Sequence, residues 1–115
     1  MIRLVLLIVL LAAPARADEM AFYMKNGVSR AIVVELYSQG RSTVWPGNDQ
    51  VYLLETGEKK SVPVTCEAGE TICWGAWLNG DDQTYWGVGP GSLRRCDDCC
   101  TVCTAKSTAI VEIGP

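Results

Sequence analysis

Short apolar segments separated by turn residues recur along the chain roughly every ten residues. The segments are rich in Val, Ile, Tyr, Trp and Thr, and Asn-Gly, Pro-Gly and Thr-Gly pairs stand between them. This spacing is typical of an all-β sandwich or barrel. We therefore predict a small antiparallel β-sandwich of about seven strands, drawn from the candidate segments Met20–Lys25, Arg30–Ser38, Thr43–Trp45, Gln50–Leu54, Ser61–Cys66, Thr71–Leu78, Thr84–Val88 and Thr108–Ile113.

Two of these segments carry further positional information. In Arg30–Ser38 apolar side chains occupy both faces of the alternating pattern, which places this strand in the centre of a sheet that is covered on both sides. Pro63 interrupts Ser61–Cys66 and has no N–H to donate to a ladder. That strand should therefore lie at a sheet edge or contain a bulge.

The N-terminal residues have the pattern of a cleavable secretory signal. A basic start precedes the apolar run Leu4–Ala13, and Ala15 and Ala17 supply the small side chains that signal peptidase requires. The apolar run is too short to cross a bilayer, which takes about 20 residues. We predict a signal peptide over residues 1–17 and one mature cysteine-rich domain over residues 18–115, periplasmic or secreted and without a membrane anchor after cleavage.

The predicted mature domain is acidic, and the chain contains no histidine. Cleavage removes two arginines and leaves eight basic residues against thirteen acidic ones, so the net charge is −5. With this charge balance we expect no basic patch of the kind that binds nucleic acid. The missing histidine excludes Ser-His-Asp and Cys-His catalysis and histidine metal ligands. The acidic pairs Asp81-Asp82, Asp97-Asp98 and Glu67 with Glu70 fall in predicted turns, so we predict a domain that is not an enzyme and has no cofactor.

Six cysteines form a C-x-x-C-C-x-x-C cluster and an earlier, separate pair. The cluster comprises Cys96, Cys99, Cys100 and Cys103, and the pair comprises Cys66 and Cys73. In an oxidising compartment we expect structural disulfides. The pair could bond across a hairpin turn, or both members could reach the later cluster. The i, i+3, i+4, i+7 spacing would align the cluster on one stripe of a short helix over Leu93–Ala105, with a loop of tight turns as the alternative.

The cysteine cluster also supports an alternative hypothesis, a metal-binding or thiol redox protein. Four thiolates could hold zinc or copper(I), and either C-x-x-C could exchange disulfides. Zinc sites usually draw on two cysteine pairs separated by a longer loop, and Asp97-Asp98 would raise thiol pKa values. The structural interpretation is therefore favoured.

Three tryptophans lie on one predicted hairpin. Trp74 and Trp77 fall on opposite faces of the same strand, and Trp86 lies on the next strand. An exposed indole could stack on a sugar ring or a peptide, whereas buried indoles would only fill the core. Cys and Trp packing is common in small β domains, so burial is the favoured interpretation, and Trp74, Trp77 and Trp86 are kept as candidate ligand contacts.

Three motifs together resemble small uncharacterised cysteine-rich secreted proteins of alphaproteobacteria. These motifs are G-E-T-I-C-W-G-A-W from Gly69, Y-W-G-V-G from Tyr85 and C-x-x-C-C-x-x-C from Cys96, and the resemblance covers about Val44–Cys103. That group has no assigned activity, so the resemblance implies an exported compartment and no mechanism. We hypothesise a secreted or periplasmic, non-catalytic binding domain whose partner is an envelope protein or a polysaccharide.

Overall fold

The structure is a computed structural model that describes residues 17–115, so all but the last residue of the predicted signal lies outside the described residues. Residues 17–115 form nine strands and one 3₁₀ turn, with no α-helix. The elements are β1 (Ala17–Asn26), β2 (Ile32–Ser38), β3 (Val44–Trp45), β4 (Tyr52–Leu54), β5 (Lys59–Glu67), β6 (Thr71–Leu78), β7 (Asp81–Gly87), the 3₁₀ turn (Pro90–Ser92), β8 (Cys100–Val102) and β9 (Thr108–Ile113). The strands build two sheets, which confirms the predicted all-β architecture.

The smaller sheet has three strands in the order β5-β1-β9. β5 runs antiparallel to β1, whereas β9 runs parallel to it, a departure from the all-antiparallel arrangement that was predicted. Met20, Phe22 and Met24 alternate along β1 and are buried, while Tyr23 between them is exposed. One face of this sheet is therefore packed and the other faces solvent. β5 is an edge strand, as Pro63 indicated.

The larger sheet has six strands but is only four strands wide. β2 and β6 form its antiparallel centre. β3 and β4 both pair with the edge of β2 that faces away from β6, each along a different part of the strand. β7 and β8 pair in the same way with the edge of β6 that faces away from β2. β2 is buried on both faces, with Ile32 and Leu36 on one and Val33 and Tyr37 on the other. This confirms the central position predicted for the strand.

The larger of two buried apolar clusters fills the space between the two sheets, and the smaller one comprises Tyr37, Cys73, Val88 and Cys99. Alternating side chains from both inner faces meet there, and each core residue is 6% exposed or less. Burial of each such aliphatic or aromatic side chain contributes about 1.5–3 kcal/mol. The largest fully buried side chains of the core are Phe22, Met24, Ile32, Leu36, Leu54, Ile72 and Ile113.

Asn26 is the one buried polar residue among residues 17–115, and its hydrogen bonds join three parts of the fold. Its Nδ2 donates to the carbonyl oxygens of Arg30 at 2.9 Å and Leu54 at 3.1 Å, with the Glu55 carbonyl at 3.2 Å. Its Oδ1 accepts the Val28 N–H at 2.8 Å. The amide thus ties the β1–β2 turn to the end of β4.

Of the two possibilities for Leu93–Ala105, the short helix is not formed and the loop of turns is closer to the structure. This segment is a loop followed by β8, which pairs with the start of β6. Cys100 lies directly opposite Cys73 in that ladder. The four clustered cysteines therefore lie in a short extended strand and in the turns on either side of it. A strand of three residues is too short for its alternation to be visible in the sequence.

We predict that Asn26→Asp destabilises the domain by about 3 kcal/mol, because a carboxylate oxygen would then face backbone carbonyl oxygens in a buried site. Asn79→Asp makes the same chemical change at an exposed turn and serves as the control. Urea unfolding at neutral pH measures both variants. Equal midpoints for the two would contradict the assigned hydrogen-bond role.

Candidate functional site

All six cysteines are paired in three disulfides. The pairs are Cys66–Cys103, Cys73–Cys100 and Cys96–Cys99. The first joins the end of β5 in the smaller sheet to the residue after β8 in the larger one, with 6.2 Å between the Cα atoms. The second joins facing residues of β6 and β8, and the third closes a local loop. The chain is therefore a disulfide-stabilised β domain, of the kind that folds in an oxidising compartment.

The hairpin bond between Cys66 and Cys73, one of the two expectations, is not formed. β5 belongs to the smaller sheet and β6 to the larger, so the turn at Ala68-Gly69 carries the chain between sheets. The two cysteines therefore do not face each other across a ladder. Both instead reach the later cluster, as in the alternative expectation.

The Cys96–Cys99 loop has a geometry that also suits metal binding. The two sulfurs and a carboxylate oxygen of Asp98 lie within 4.8 Å of one another. Each sulfur is bonded to the other, however, so neither is a free thiolate. In this oxidised state the cluster offers no thiolate ligand to zinc or copper(I) and no nucleophile for disulfide exchange.

An open cavity of about 500 Å³ lies at the corner where the β2–β3 loop meets the β5–β6 turn. Glu70 forms its floor, with a side chain that is 4% exposed. Its carboxylate accepts the Ser38 hydroxyl at 2.5 Å and the Arg41 Nε and Nη2 at 2.5 and 2.7 Å. The bidentate Arg41 guanidinium and Ser38 hydroxyl hold the pKa of Glu70 at about 2. These hydrogen bonds within the protein occupy both carboxylate oxygens, so we interpret the contact as structural. We call Glu70, Ser38 and Arg41 together the Glu70 clamp.

The three candidate tryptophans do not share a surface. Trp74 packs against the core between the sheets, and Trp86, which lies opposite Ala76, packs against the same core. Trp77 points the other way and pairs with Tyr85 on the outer face of the larger sheet. Trp77 is thus the member of the predicted set that faces away from the core.

A row of apolar side chains crosses this outer face from β4 to β7. Leu53 pairs with Val33, Val33 with Trp77, and Trp77 with Tyr85. Leu53 and Tyr85 are 40% and 39% exposed, while Val33 lies buried between its neighbours. We call these four residues the outer row.

The rest of the outer face is covered by the segment from Val88 to Cys99, which we call the cover loop. A Cβ atom on Gly75 would collide with the Gly89 carbonyl oxygen, so the loop touches the sheet backbone there. The Tyr37 hydroxyl accepts the Gly91 N–H at 2.9 Å. Burial under the loop raises the pKa of Tyr37 to about 12. The cover loop therefore closes one half of the face and also reaches the Tyr85 end of the outer row, where Gly89 and Arg94 lie against the Tyr85 ring.

Polar side chains surround the aromatic end of the outer row. The Arg94 guanidinium lies 4.9 Å from the centre of the Tyr85 ring, a cation–π contact. A bulge at the start of β7 presents Asp82 and Gln83, held by Asp81, which accepts the Gln83 N–H at 3.1 Å. Two shallow depressions of about 330 Å³ each lie here. The depressions are lined by Trp77, Gly80, Asp81 and Asp82 in one case, and by Asp82, Gln83, Pro90, Leu93 and Arg94 in the other.

Glu35 is the acidic group on the same face, two residues along β2 from Val33. Burial raises the pKa of Glu35 above its usual range, a hydrogen bond from Tyr37 opposes this effect, and the charge of Asp49 adds to it. Within residues 17–115 no lysine or arginine forms an ion pair with Glu35. Glu35 is thus a half-buried carboxylate without a cationic partner.

Four residues of this surface were not among the sequence-based candidates: Leu53, Tyr85, Arg94 and Glu35. The period-2 pattern places Trp77 and Tyr85 on neighbouring strands, but their pairing depends on the bulge in β7. The position of Arg94 depends on the path of the cover loop, for which local sequence carries no periodic signal.

No family model, curated protein or solved structure matches the chain in our comparisons. Residues 17–115 include no helix that is long and apolar enough to cross a bilayer.

We predict unequal costs for removing two of the disulfides. In the chain-entropy model, a crosslink across the 37-residue separation of Cys66–Cys103 stabilises by about 4 kcal/mol, and the Cys96–Cys99 loop by about 2 kcal/mol. Urea unfolding without reductant should therefore show Cys66→Ala/Cys103→Ala as the less stable double variant. The reverse order would show that the Cys96–Cys99 disulfide stabilises the folded domain by more than its loop length predicts.

We predict that the Glu70 clamp makes stability depend on acid pH. The folded pKa of about 2 lies below the usual 4.5, so the contribution is complete above pH 4.5 and is lost as the pH falls towards 2. Because Arg41 is partly exposed, we expect about 1–2 kcal/mol. The stability gap between the native chain and Glu70→Gln should close over this window in urea titrations. A gap that is constant from pH 6 to about pH 2 would refute the clamp.

Proposed function

We propose that the chain is a secreted or periplasmic, non-catalytic binding domain that holds a neutral envelope polysaccharide on the outer row. The observation that carries this proposal is a partly exposed apolar row, in which Leu53 and Tyr85 are 40% and 39% exposed and Trp77 is half-buried, with polar groups at its aromatic end. An open apolar strip of this kind is typical of a binding surface, because monomeric domains seldom leave such side chains together in water.

The chemistry of the outer row favours a sugar over a fully apolar ligand. A pyranose ring has an apolar C–H face that stacks on an indole, and hydroxyl groups around its rim that need hydrogen-bond partners. Trp77 supplies the flat apolar surface. Asp82, Gln83 and Arg94 supply planar acceptors and donors within the adjoining depressions. An apolar peptide would leave these polar groups unsatisfied.

The charge of the surface favours a neutral polymer. Three acidic groups, Asp81, Asp82 and Glu35, stand around the outer row against two cations, Arg94 and Lys60, whose Nζ donates to the Leu53 carbonyl, and the predicted mature domain has a net charge of −5. An anionic polysaccharide or nucleic acid would be repelled by this balance.

Glu35 fits a role in ligand contact better than a role in stability. A half-buried carboxylate whose pKa is raised destabilises the folded state when ionised, and no cation offsets that cost within the described chain. A sugar hydroxyl would add a second hydrogen-bond donor beside that of Tyr37. Glu35 lies one row from Trp77, a separation that one or two sugar rings can span.

The rigidity of the face supports binding rather than chemistry. The middle of the outer row lies on the central strands β2 and β6 and its ends on β4 and β7, and the adjoining cover loop is fixed by the Tyr37–Gly91 hydrogen bond and by Cys96–Cys99. A preorganised surface loses little conformational entropy on binding. Glycoside hydrolysis would need two carboxyl groups flanking the scissile bond across a cleft, whereas this surface is an open row with acids at its rim.

We predict that the intact domain is retarded in affinity gel electrophoresis by at least one of β-glucan, galactomannan and dextran. Trp77→Ala and Tyr85→Ala should each weaken retardation about tenfold, since stacking on an aromatic ring contributes about 1 kcal/mol or more. Tyr23→Ala is the matched control, because Tyr23 has similar exposure but lies on the other sheet.

Two outcomes would reject the saccharide site. The first is no retardation by any of the three polymers. The second is a Trp77→Ala protein that folds, with unchanged melting, and binds like the native chain. Equal loss in a Tyr23→Ala variant that keeps the native sedimentation coefficient would place the site on the smaller sheet instead.

A further inference from the structure

The edge of the smaller sheet at β9 carries a row of free backbone groups. β9 pairs with β1 on one side and has no ladder partner on the other within residues 17–115. The Ala21 N–H donates to the Ser107 carbonyl at 2.9 Å, and the Gly27 N–H donates to the Ile113 carbonyl at 2.8 Å. By the alternation of a parallel ladder, the odd-numbered residues of β9 bond to β1. The N–H and C=O groups of Thr108, Ile110 and Glu112 therefore point away from the sheet.

The two edges of this sheet differ in how they are protected. The β5 edge contains Pro63, Lys59 and Lys60, which are typical devices against strand pairing. β9 contains neither proline nor lysine and carries a single charge, Glu112. Ile110 at its middle is 72% exposed. β9 thus retains the capacity for strand pairing that β5 lacks.

We propose that β9 pairs with β9 of a second copy of this chain, antiparallel and with a two-fold axis at Ile110. In this register Ile110 faces its own counterpart, and Thr108 faces Glu112 of the other copy. Each facing pair exchanges two N–H···O bonds, so all the free groups of the three residues find partners. The edge is therefore self-complementary in its backbone.

The side chains are also complementary in this register. Thr108, Ile110 and Glu112 share the outer face of the sheet, where Tyr23 lies beside Ile110. The two Ile110 side chains would cover one another between the two Tyr23 rings. Each Glu112 would face the Thr108 hydroxyl of the other copy. The two Glu112 side chains would be separated by four residues along the paired strands, a distance of roughly 14 Å. At that distance physiological salt screens their repulsion.

The paired sheet lies away from the outer row, which belongs to the other sheet. A dimer would therefore present two copies of the proposed polysaccharide surface on one rigid body. Repeating polymers would then bind with avidity. This consequence rests on the proposed function, whereas the β9 pairing itself does not.

Sedimentation velocity on the full-length gene product, exported and processed by the host, tests the proposal. We expect a dimer at about 100 μM. Ile110→Lys should weaken dimerisation at least about tenfold, because it places two like charges directly opposite each other. Ser61→Lys is the matched control, since Ser61 flanks Tyr23 on the opposite side and belongs to the β5 edge.

A charge-swap mixture separates pairing from misfolding. Ile110→Lys and Ile110→Glu should each be monomeric alone and form a heterodimer when mixed. A native chain that stays monomeric, or an Ile110→Lys variant that dimerises like the native chain, would overturn the proposal. A monomer that still binds polysaccharide would overturn the β9 pairing and leave the outer row intact as a site.

Discussion

The Cys66–Cys103 disulfide fixes the point where the chain passes from one sheet to the other. Both sulfurs are in buried residues, and the backbone around them is bonded as well. The Gly69 N–H donates to the Cys103 carbonyl at 3.0 Å, and the Cys103 N–H donates to the Glu70 carbonyl at 2.7 Å. Because the crossing is held in this way, β6 enters the larger sheet in one register, and everything built on β6 is positioned by it.

The outer surface of the larger sheet follows from that placement. β8 pairs with the start of β6 and directs the preceding loop across the sheet, where Gly75 lets the Gly89 backbone lie against it. Trp77 lies further along β6 and is half-buried beside Tyr85, whose ring the loop contacts through Gly89 and Arg94. The same arrangement covers one half of the face and leaves Leu53 and Tyr85 partly exposed on the other half. The free β9 edge lies on the smaller sheet and is independent of both halves.

Sequence patterns predicted the features that depend on local alternation. Two-sided burial of β2 is visible in its continuous apolar run, and the edge position of β5 is visible in Pro63. The disulfide pairing was not predictable, because alternation does not indicate which sheet a strand joins. Cys66 and Cys73 flank a turn that looks like a hairpin in sequence but crosses between sheets. The opposite orientations of Trp74 and Trp77 followed from period 2, whereas the choice of inner and outer face required the packed structure.

The disulfide map of the exported protein tests this account most directly. Digestion without reductant, followed by electron-transfer fragmentation of the linked peptides, distinguishes the adjacent Cys99 and Cys100. We expect the linkages Cys66–Cys103, Cys73–Cys100 and Cys96–Cys99. A Cys66–Cys73 linkage would contradict the account, because β5 and β6 would then form a hairpin within one sheet and the outer row would not be assembled as described.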